Sequence, residues 1–243
     1  MVSLPFLKKI ERDIYNISKL NMFAANLRRI SRLHSVRRMI SSPPLLLSIT
    51  QGANEYGSDN DGPRIRFPTQ PLPTIVSSVD DILKAVDMHY DLDNNTSFVG
   101  GMGETDSGVW FVPPINNPRR DPLCYWDDIL KPSIEQIFTF RHGVPIGVYT
   151  SGIVPVNMDE LKILTAVNVS LLAGNPSDYG QAAELENRGE KDQFFRQVCN
   201  FLVSAQDEGI PIHVEIFKPY ASEGRDLALA LGAQQVNIWE EPK

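Results

Sequence analysis

Apolar and polar positions alternate along residues 43–243 in a pattern that predicts strands and helices in turn. Short apolar runs, typical of buried strands, are separated by longer segments with apolar residues at helical spacing. We predict strands at 45–50, 96–100, 144–150, 167–172, 211–217 and 235–239, and helices at 77–89, 126–140, 157–164, 191–208 and 222–231. Strands joined by helical crossovers lie parallel, so the pattern predicts an α/β sheet, closed into a barrel or open. In both architectures the functional residues follow the carboxyl ends of the strands.

Charge divides the 243-residue chain, whose net charge is −7, into two parts. Residues 1–42 hold nine basic and two acidic residues, a net charge of +7, whereas the remainder holds 14 basic and 28 acidic residues, a net charge of −14. The acid-free, arginine-rich segment 21–42 is typical of an organellar targeting peptide, and a basic surface helix or an arm for nucleic acid or anionic lipid is the alternative. We therefore predict a leader or N-terminal extension at 1–42 and a domain at 43–243. The predicted location is mitochondrial, with plastid or cytoplasm as alternatives.

Several classes of function are excluded by composition. The acidic domain gives no electrostatic support for nucleic-acid binding. No segment approaches the roughly 18 consecutive apolar residues of a membrane-spanning helix, so we expect no integral membrane segment. The two cysteines, Cys124 and Cys199, provide neither a disulfide framework nor a three-cysteine metal site. A protein partner in an organellar complex remains an open expectation.

Three short motifs follow predicted strands in a recognisable order. The second predicted strand runs into FVGGMGET, the third ends in Thr150-Ser151-Gly152, and the fourth reads Asn168-Val169-Ser170-Leu171 with Asp178-Tyr179 further on. In this order and spacing they resemble the radical S-adenosylmethionine (radical SAM) core domain, over residues 45–241. The resemblance implies a partial (β/α)6 barrel, related to the TIM barrel, and S-adenosylmethionine (SAM) as cofactor. It also implies a set of cofactor-binding residues, which are Gly100, Gly101, Met102, Gly103, Glu104, Thr150 and Ser170, with Glu104 at the methionine amino group and Ser170 near the ribose.

One departure from the family concerns its iron–sulfur cluster. Radical SAM proteins hold a [4Fe–4S] cluster with a Cys-x3-Cys-x2-Cys motif after the first strand, but residues 50–57 here, TQGANEYG, contain no cysteine. Carboxylates and amides do not replace thiolates in such a cluster. We therefore expect no iron–sulfur cluster from this chain and no radical chemistry by it alone.

Three functions from different classes fit this sequence. The first is a pseudoenzyme or accessory binding subunit that retains a SAM-like pocket. The second is a barrel enzyme with other chemistry at Glu104, Tyr149, His213 and Glu215, and the third is a structural subunit without a ligand. His213 and Glu215 share a strand face because they are two residues apart. They form a base with its orienting carboxylate, two ligands of a metal site, or a plain ion pair.

The connector after the second predicted strand holds further candidates. Arg119 and Arg120 form an anion clamp or a solvated pair. Trp110 and Phe111, with Tyr125 and Trp126, place aromatic rings there as a lid, a partner contact or loop anchors. A dinucleotide fingerprint is not present, since the glycine-rich turn lacks the G-x-G-x-x-G spacing after a first strand.

Overall fold

The computed structural model describes residues 43–50, 62–92, 108–141 and 143–240, which belong to one compact unit, Ser42–Lys243. These residues form an α/β fold around a seven-stranded sheet in which every pairing is parallel. The strands are β1 (Leu45–Ile49), β2 (Thr74–Val76), β3 (Val109–Val112), β4 (Ile146–Thr150), β5 (Ala166–Leu172), β6 (Ile212–Phe217) and β7 (Gln235–Trp239).

Five α-helices connect the strands in the described part of the chain. They are α1 (Val79–Leu92), α2 (Lys131–Phe140), α3 (Pro176–Ala182), α4 (Arg188–Asp207) and α5 (Ala221–Ala230). A 3₁₀ turn at Pro122–Tyr125 and a π-helical turn at Trp126–Leu130 lead into α2, and two further 3₁₀ segments occupy Met158–Ile163 and Lys218–Tyr220. None of these helices is both long and apolar enough to span a membrane.

The strand order is β2-β1-β3-β4-β5-β6-β7. The three-residue β2 lies at the outer edge of β1, and the other six strands follow one another in chain order. Every crossover from β2 onward therefore runs in the same direction across the sheet. Because parallel crossovers are right-handed, their helices must lie on one side of it.

Packing confirms this one-sided arrangement. Alternate residues of the strands, such as Leu47, Phe111 and Val148, share one apolar core with buried residues of the helices, such as Ile134 and Leu202. We call this side of the sheet the helix face. Residues at the intervening strand positions point to the opposite side, which we call the second face.

The predicted α/β class and parallel sheet are confirmed, and five of the six predicted strands and all five helical segments appear close to their predicted positions. The predicted strand at 96–100 lies outside the described residues. The place beside β1 is taken by β3, so the interpretation of Trp110 and Phe111 as connector residues is wrong. Only four residues separate Gly108 from Pro113, and so short an apolar run does not distinguish a strand from a loop anchor. The sequence reading also missed β2 and α3.

Candidate functional site

Polar side chains are concentrated on the second face of the sheet. Strand pairing places Tyr149 beside Asn168, Asn168 beside His213, and His213 beside Gln235. Adjacent strands are about 4.8 Å apart, so these four residues form a continuous row across β4 to β7. A second pair, Glu215 and Asn237, lies one step further along β6 and β7. Ser48 and Ser170 complete the set, which we call the polar face: Ser48, Tyr149, Asn168, Ser170, His213, Glu215, Gln235 and Asn237.

An aromatic cluster lies at one side of the polar face. The ring centroids of Trp110 and Tyr149 are 5.5 Å apart, with the planes tilted by 59°. Trp110 lies directly over Gly147, where an added Cβ atom would come within 2.1 Å of the indole ring. Ile65 and Phe67, from the chain between β1 and β2, pack into the same cluster. A residue without a side chain at position 147 is therefore what allows the Trp110 ring to pack at this point of the sheet beside Tyr149.

Glu215 is the buried carboxyl group of the polar face. Only 5% of the residue is exposed, and its Oε1 accepts a hydrogen bond of 2.9 Å from Nδ2 of Asn237. Burial raises the pKa of Glu215 to about 7, although the hydrogen bond from Asn237 acts in the opposite direction. Near neutral pH this carboxyl group can therefore both hold and release a proton.

The neighbours of Glu215 favour their neutral forms. Burial lowers the pKa of His213 and raises the pKa of Tyr149, the latter with a contribution from the negative charge of Glu215. Glu215 hydrogen-bonds to Asn237, and no ion pair between His213 and Glu215 occurs among the described salt bridges. Within the described ranges, no three histidine, cysteine or acidic side chains are grouped so that they could hold a metal ion. The pKa of about 7 suits Glu215 to proton transfer.

Among the described residues, the buried polar atoms without a hydrogen-bond partner include Oδ1 of Asn168 and Oγ of Ser48, both on the second face. Both residues are at most 3% exposed. Ser170, in contrast, accepts a hydrogen bond of 3.0 Å from the backbone N–H of Arg66. A buried polar atom without a partner costs about 1–3 kcal/mol, so Asn168 and Ser48 each carry an unused acceptor at a stability cost.

The Thr150-Ser151-Gly152 motif has a structural partner on the other side of the sheet. Oδ2 of the buried Asp121 accepts hydrogen bonds from Thr150 Oγ1 (2.7 Å), from the Ser151 backbone N–H (2.7 Å) and from Ser151 Oγ (2.6 Å). Its Oδ1 accepts from the backbone N–H of Leu123. Burial raises the pKa of Asp121, and these hydrogen bonds oppose that shift. The motif therefore anchors the connector to the end of β4.

Of the residues that the resemblance implied as one cofactor site, the described part of the chain contains Thr150 and Ser170. Ser170 lies on the second face, together with the candidate catalytic residues His213 and Glu215. Thr150 follows Tyr149 on β4, so its side chain points to the helix face, where its hydroxyl group donates a hydrogen bond to Asp121. The glycine-rich segment Gly100–Glu104 lies outside the described residues, as do the leader at 1–42 and the cysteine-free residues 51–57. Cys124 and Cys199 are free thiols on different elements, and Cys199 packs against the apolar core.

Sequence reasoning assigned no role to four residues that shape the polar face. They are Arg66, Gly147, Asn237 and Asn168, the last of which it named only as a member of a motif. Asn168 had a usable signal, because an amide in the middle of the apolar run VNVSLL is uncommon on a buried strand. Arg66 carried no such signal, since it occurs in a proline-flanked loop segment, PRIRFP.

Comparison with known proteins adds no family to this geometry. No family model matches the sequence, and no curated protein matches it. Function therefore has to be argued from the polar face itself.

Proposed function

We propose that this domain binds a small polar molecule on the polar face, and that it is a radical SAM-like protein acting as a binding or accessory subunit. The observation that supports this most is the concentration of buried polar strand residues on the second face, where Ser48, Asn168, Ser170 and Glu215 lie. Asn168 and Ser48 each keep an acceptor without a partner in the described structure. A ligand that donates hydrogen bonds to them would recover the cost of burying them.

The position of the polar face agrees with the proposed class. In a sheet whose helices lie on one side, a partial barrel has its interior on the opposite side. Six strands in chain order, from β1 through β3 to β7, are the arrangement expected of a (β/α)6 barrel, with β2 added at the edge. We therefore propose SAM as the first ligand to test. Mitochondrial location remains a prediction from the leader.

Proton transfer by Glu215 is a second candidate function. A general acid or base works best when its pKa is close to the working pH, and burial brings the pKa of Glu215 to about 7. Tyr149 and His213 lie on the same face and offer hydrogen-bonding groups to a substrate. This alternative, which the sequence reading built on Glu104, His213 and Glu215, requires a bound ligand as well, so the binding experiment comes first.

The test is a titration of protein labelled with 5-fluorotryptophan, followed by fluorine NMR. SAM and S-adenosylhomocysteine are added up to millimolar concentration, and the three tryptophan signals are assigned with Phe variants. We expect the Trp110 signal to shift, because its ring is next to Tyr149 on the second face. The Trp126 signal should stay unchanged, because Trp126 packs in the core of the helix face.

Matched variants identify the site. Asn168→Leu fills the row with an apolar side chain and should abolish the shift, whereas Asn200→Leu, at an exposed position of α4, should leave it intact. Glu104→Ala should weaken binding of SAM if the glycine-rich segment matches that of the family. A Trp110 signal that does not move with either compound overturns SAM as the ligand of the polar face, and with it the proposal of a radical SAM-like binding subunit.

A further inference from the structure

Three arginines converge on one glutamate beside the carboxyl end of β5. Nη1 of Arg64 forms an ion pair with Oε1 of Glu184, and Nη2 of Arg66 lies 3.7 Å from the same oxygen. Nη2 of Arg119 lies 3.8 Å from Oε2. These four side chains sum to a charge of +2, in a domain whose net charge is −14. We call them the arginine cluster.

Neutral backbone groups hold the guanidinium groups in place. Arg119 donates to the carbonyl oxygen of Gly62 and, at 2.9 Å, to the carbonyl oxygen of Glu184. Arg66 donates to the carbonyl oxygen of Ala182 at 3.4 Å. Carbonyl oxygens orient a guanidinium but do not neutralise it. The positive charges are therefore fixed in position before any further anion arrives, which reduces the entropic cost of binding one.

Backbone contacts bring the two arginine segments together. The N–H of Arg64 donates to the carbonyl of Ala183 at 3.3 Å, and the N–H of Ile65 donates to the carbonyl of Pro118 at 2.9 Å. The chain between β1 and β2 is thus bonded on one side to the end of α3 and on the other to the connector after β3. Residues distant in sequence meet here, and neither segment alone contains the cluster.

Glu184 differs from the arginines in its conformation and exposure. It adopts a positive φ of 59°, which is uncommon for a residue with a side chain. Its side chain is 44% exposed, compared with 6% for Arg66, 20% for Arg119 and 36% for Arg64. A solvent-accessible carboxylate is thus held in front of the more deeply placed Arg66 and Arg119, where an incoming anion could replace it.

We infer that the arginine cluster binds a phosphate group of a small molecule, and that this phosphate displaces the side chain of Glu184. Guanidinium groups recognise phosphate through paired hydrogen bonds, and a phosphate group has more oxygen atoms than a carboxylate with which to engage three guanidinium groups. Sequence reasoning had already raised Arg119 as part of an anion clamp, and the structure supplies Arg64 and Arg66 as its partners.

Arg66 connects this cluster to the polar face. Its backbone N–H bonds to Ser170, and its guanidinium carbon lies 5.4 Å from the centroid of the Phe217 ring at the end of β6. A molecule with its phosphate at the arginine cluster could therefore extend toward Ser170 and Glu215. Because Arg66 is nearly fully buried, the phosphate group of a small molecule fits this arrangement better than a macromolecular surface. As a statement about the ligand class, this inference rests on the proposed function.

The experiment is a titration with inorganic phosphate, followed by calorimetry at pH 7.5 and constant ionic strength, with acetate as a parallel titrant. Arg64→Gln should weaken phosphate binding by about tenfold or more, equivalent to about 1.4 kcal/mol. Arg64→Lys retains the charge but not the paired hydrogen bonds, so its affinity should fall between those of the wild type and Arg64→Gln. Glu184→Gln should tighten phosphate binding by about tenfold, because the competing carboxylate is removed.

Arg225→Gln, at an exposed position of α5, is the matched control and should leave the affinity unchanged. Circular dichroism confirms that each variant is folded. Equal weakening by Arg225→Gln and Arg64→Gln, or an unchanged or weaker affinity in Glu184→Gln, overturns the inference, as does acetate binding as tightly as phosphate. Phosphate binding could follow this pattern while the Trp110 signal does not shift with SAM. That combination would support the anion site and exclude SAM as the ligand of the polar face.

Discussion

The two faces of the sheet are built from the same strands, but one buries mainly apolar side chains and the other buries polar side chains as well. On the helix face, residues such as Val167, Val169 and Leu171 are fully buried among apolar side chains. On the second face, the intervening residues Asn168 and Ser170 are almost equally buried, yet they are polar. Burial alone therefore does not distinguish the faces. The difference is that one face stabilises the fold, and the other carries polar groups whose burial opposes folding.

This contrast indicates where stability and function are separated in the molecule. Apolar burial contributes about 25 cal/mol per Å², so the helix face supplies most of the favourable free energy of folding. A buried carboxyl group such as Glu215 reduces it. Four substitutions test whether the faces differ in this way, and they run from the largest expected effect to the smallest.

On the helix face, Leu171→Ala should lower the free energy of unfolding by between about 2 and 5 kcal/mol, because it leaves a cavity in a tightly packed core. Leu171 is fully buried. Urea denaturation monitored by circular dichroism measures the change, with Val203→Ala at an exposed position of α4 as the control. A loss below about 1 kcal/mol would contradict the assignment of this face as the stabilising core.

Glu215 should make the second face sensitive to pH. Its native pKa of about 7 exceeds its ordinary value of 4.5, so the folded protein binds more protons than the unfolded chain between those pH values. The free energy of unfolding contributed by this group therefore falls as pH rises from about 4.5 to about 7. Glu215→Gln should remove that fall, which makes the variant more stable than the wild type at pH 8 by up to about 3 kcal/mol.

Comparison of the two proteins across pH isolates Glu215 from its neighbours. The lowered pKa of His213 acts in the opposite direction, since stability from that group is lost as pH falls below its ordinary value of 6.5. Tyr149 and Asn237 are present in both proteins and cancel in the difference. Denaturation curves measured from pH 4 to pH 8 give the result, and parallel profiles for wild type and variant would show that Glu215 titrates normally.

Gly147→Ala should destabilise the protein by about 1–3 kcal/mol through overpacking. The added Cβ atom would come within 2.1 Å of the ring of Trp110. In a protein that already carries Trp110→Ala, the Gly147→Ala substitution should cost less free energy of unfolding than it costs in the wild type, because the ring with which the Cβ atom clashes is absent. Thermal denaturation of the four proteins of this cycle measures the coupling, and additive effects would exclude a direct contact between the two positions.

Asn168→Ala should change the free energy of unfolding by less than about 1 kcal/mol, because the packing lost with the side chain is offset by the removal of a buried acceptor that makes no hydrogen bond in the described structure. The comparison is with Leu171→Ala, three residues away on the same strand and equally buried. Urea denaturation of both variants under one set of conditions gives the ratio. A loss as large as that of Leu171→Ala would mean that Asn168 supports the fold, and the contrast between the faces would fail at this position.

The sequence predicted the parallel α/β sheet because its apolar runs and helical spacing are local signals, and each could be read from about ten neighbouring residues. It placed His213 and Glu215 on one face, which follows from the two-residue repeat of a strand. It read the strand at 109–112 as part of a connector, because an apolar run of four residues does not distinguish a strand from a loop anchor. The cofactor role of Thr150 and Ser170 stays a prediction, although the structure shows Thr150 bonded to Asp121.

By itself, the sequence determined the class of fold, the division between a basic N-terminal segment and an acidic domain, and the absence of a three-cysteine cluster motif. Composition and periodicity are properties of the chain and do not depend on how it folds. Only the tertiary structure decided that Asn168, His213 and Glu215 form one polar face, and that Arg64, Arg66 and Arg119 surround Glu184. Those groupings join residues up to 120 positions apart, and long-range pairing of this kind is set by strand order and crossover hand rather than by any local pattern.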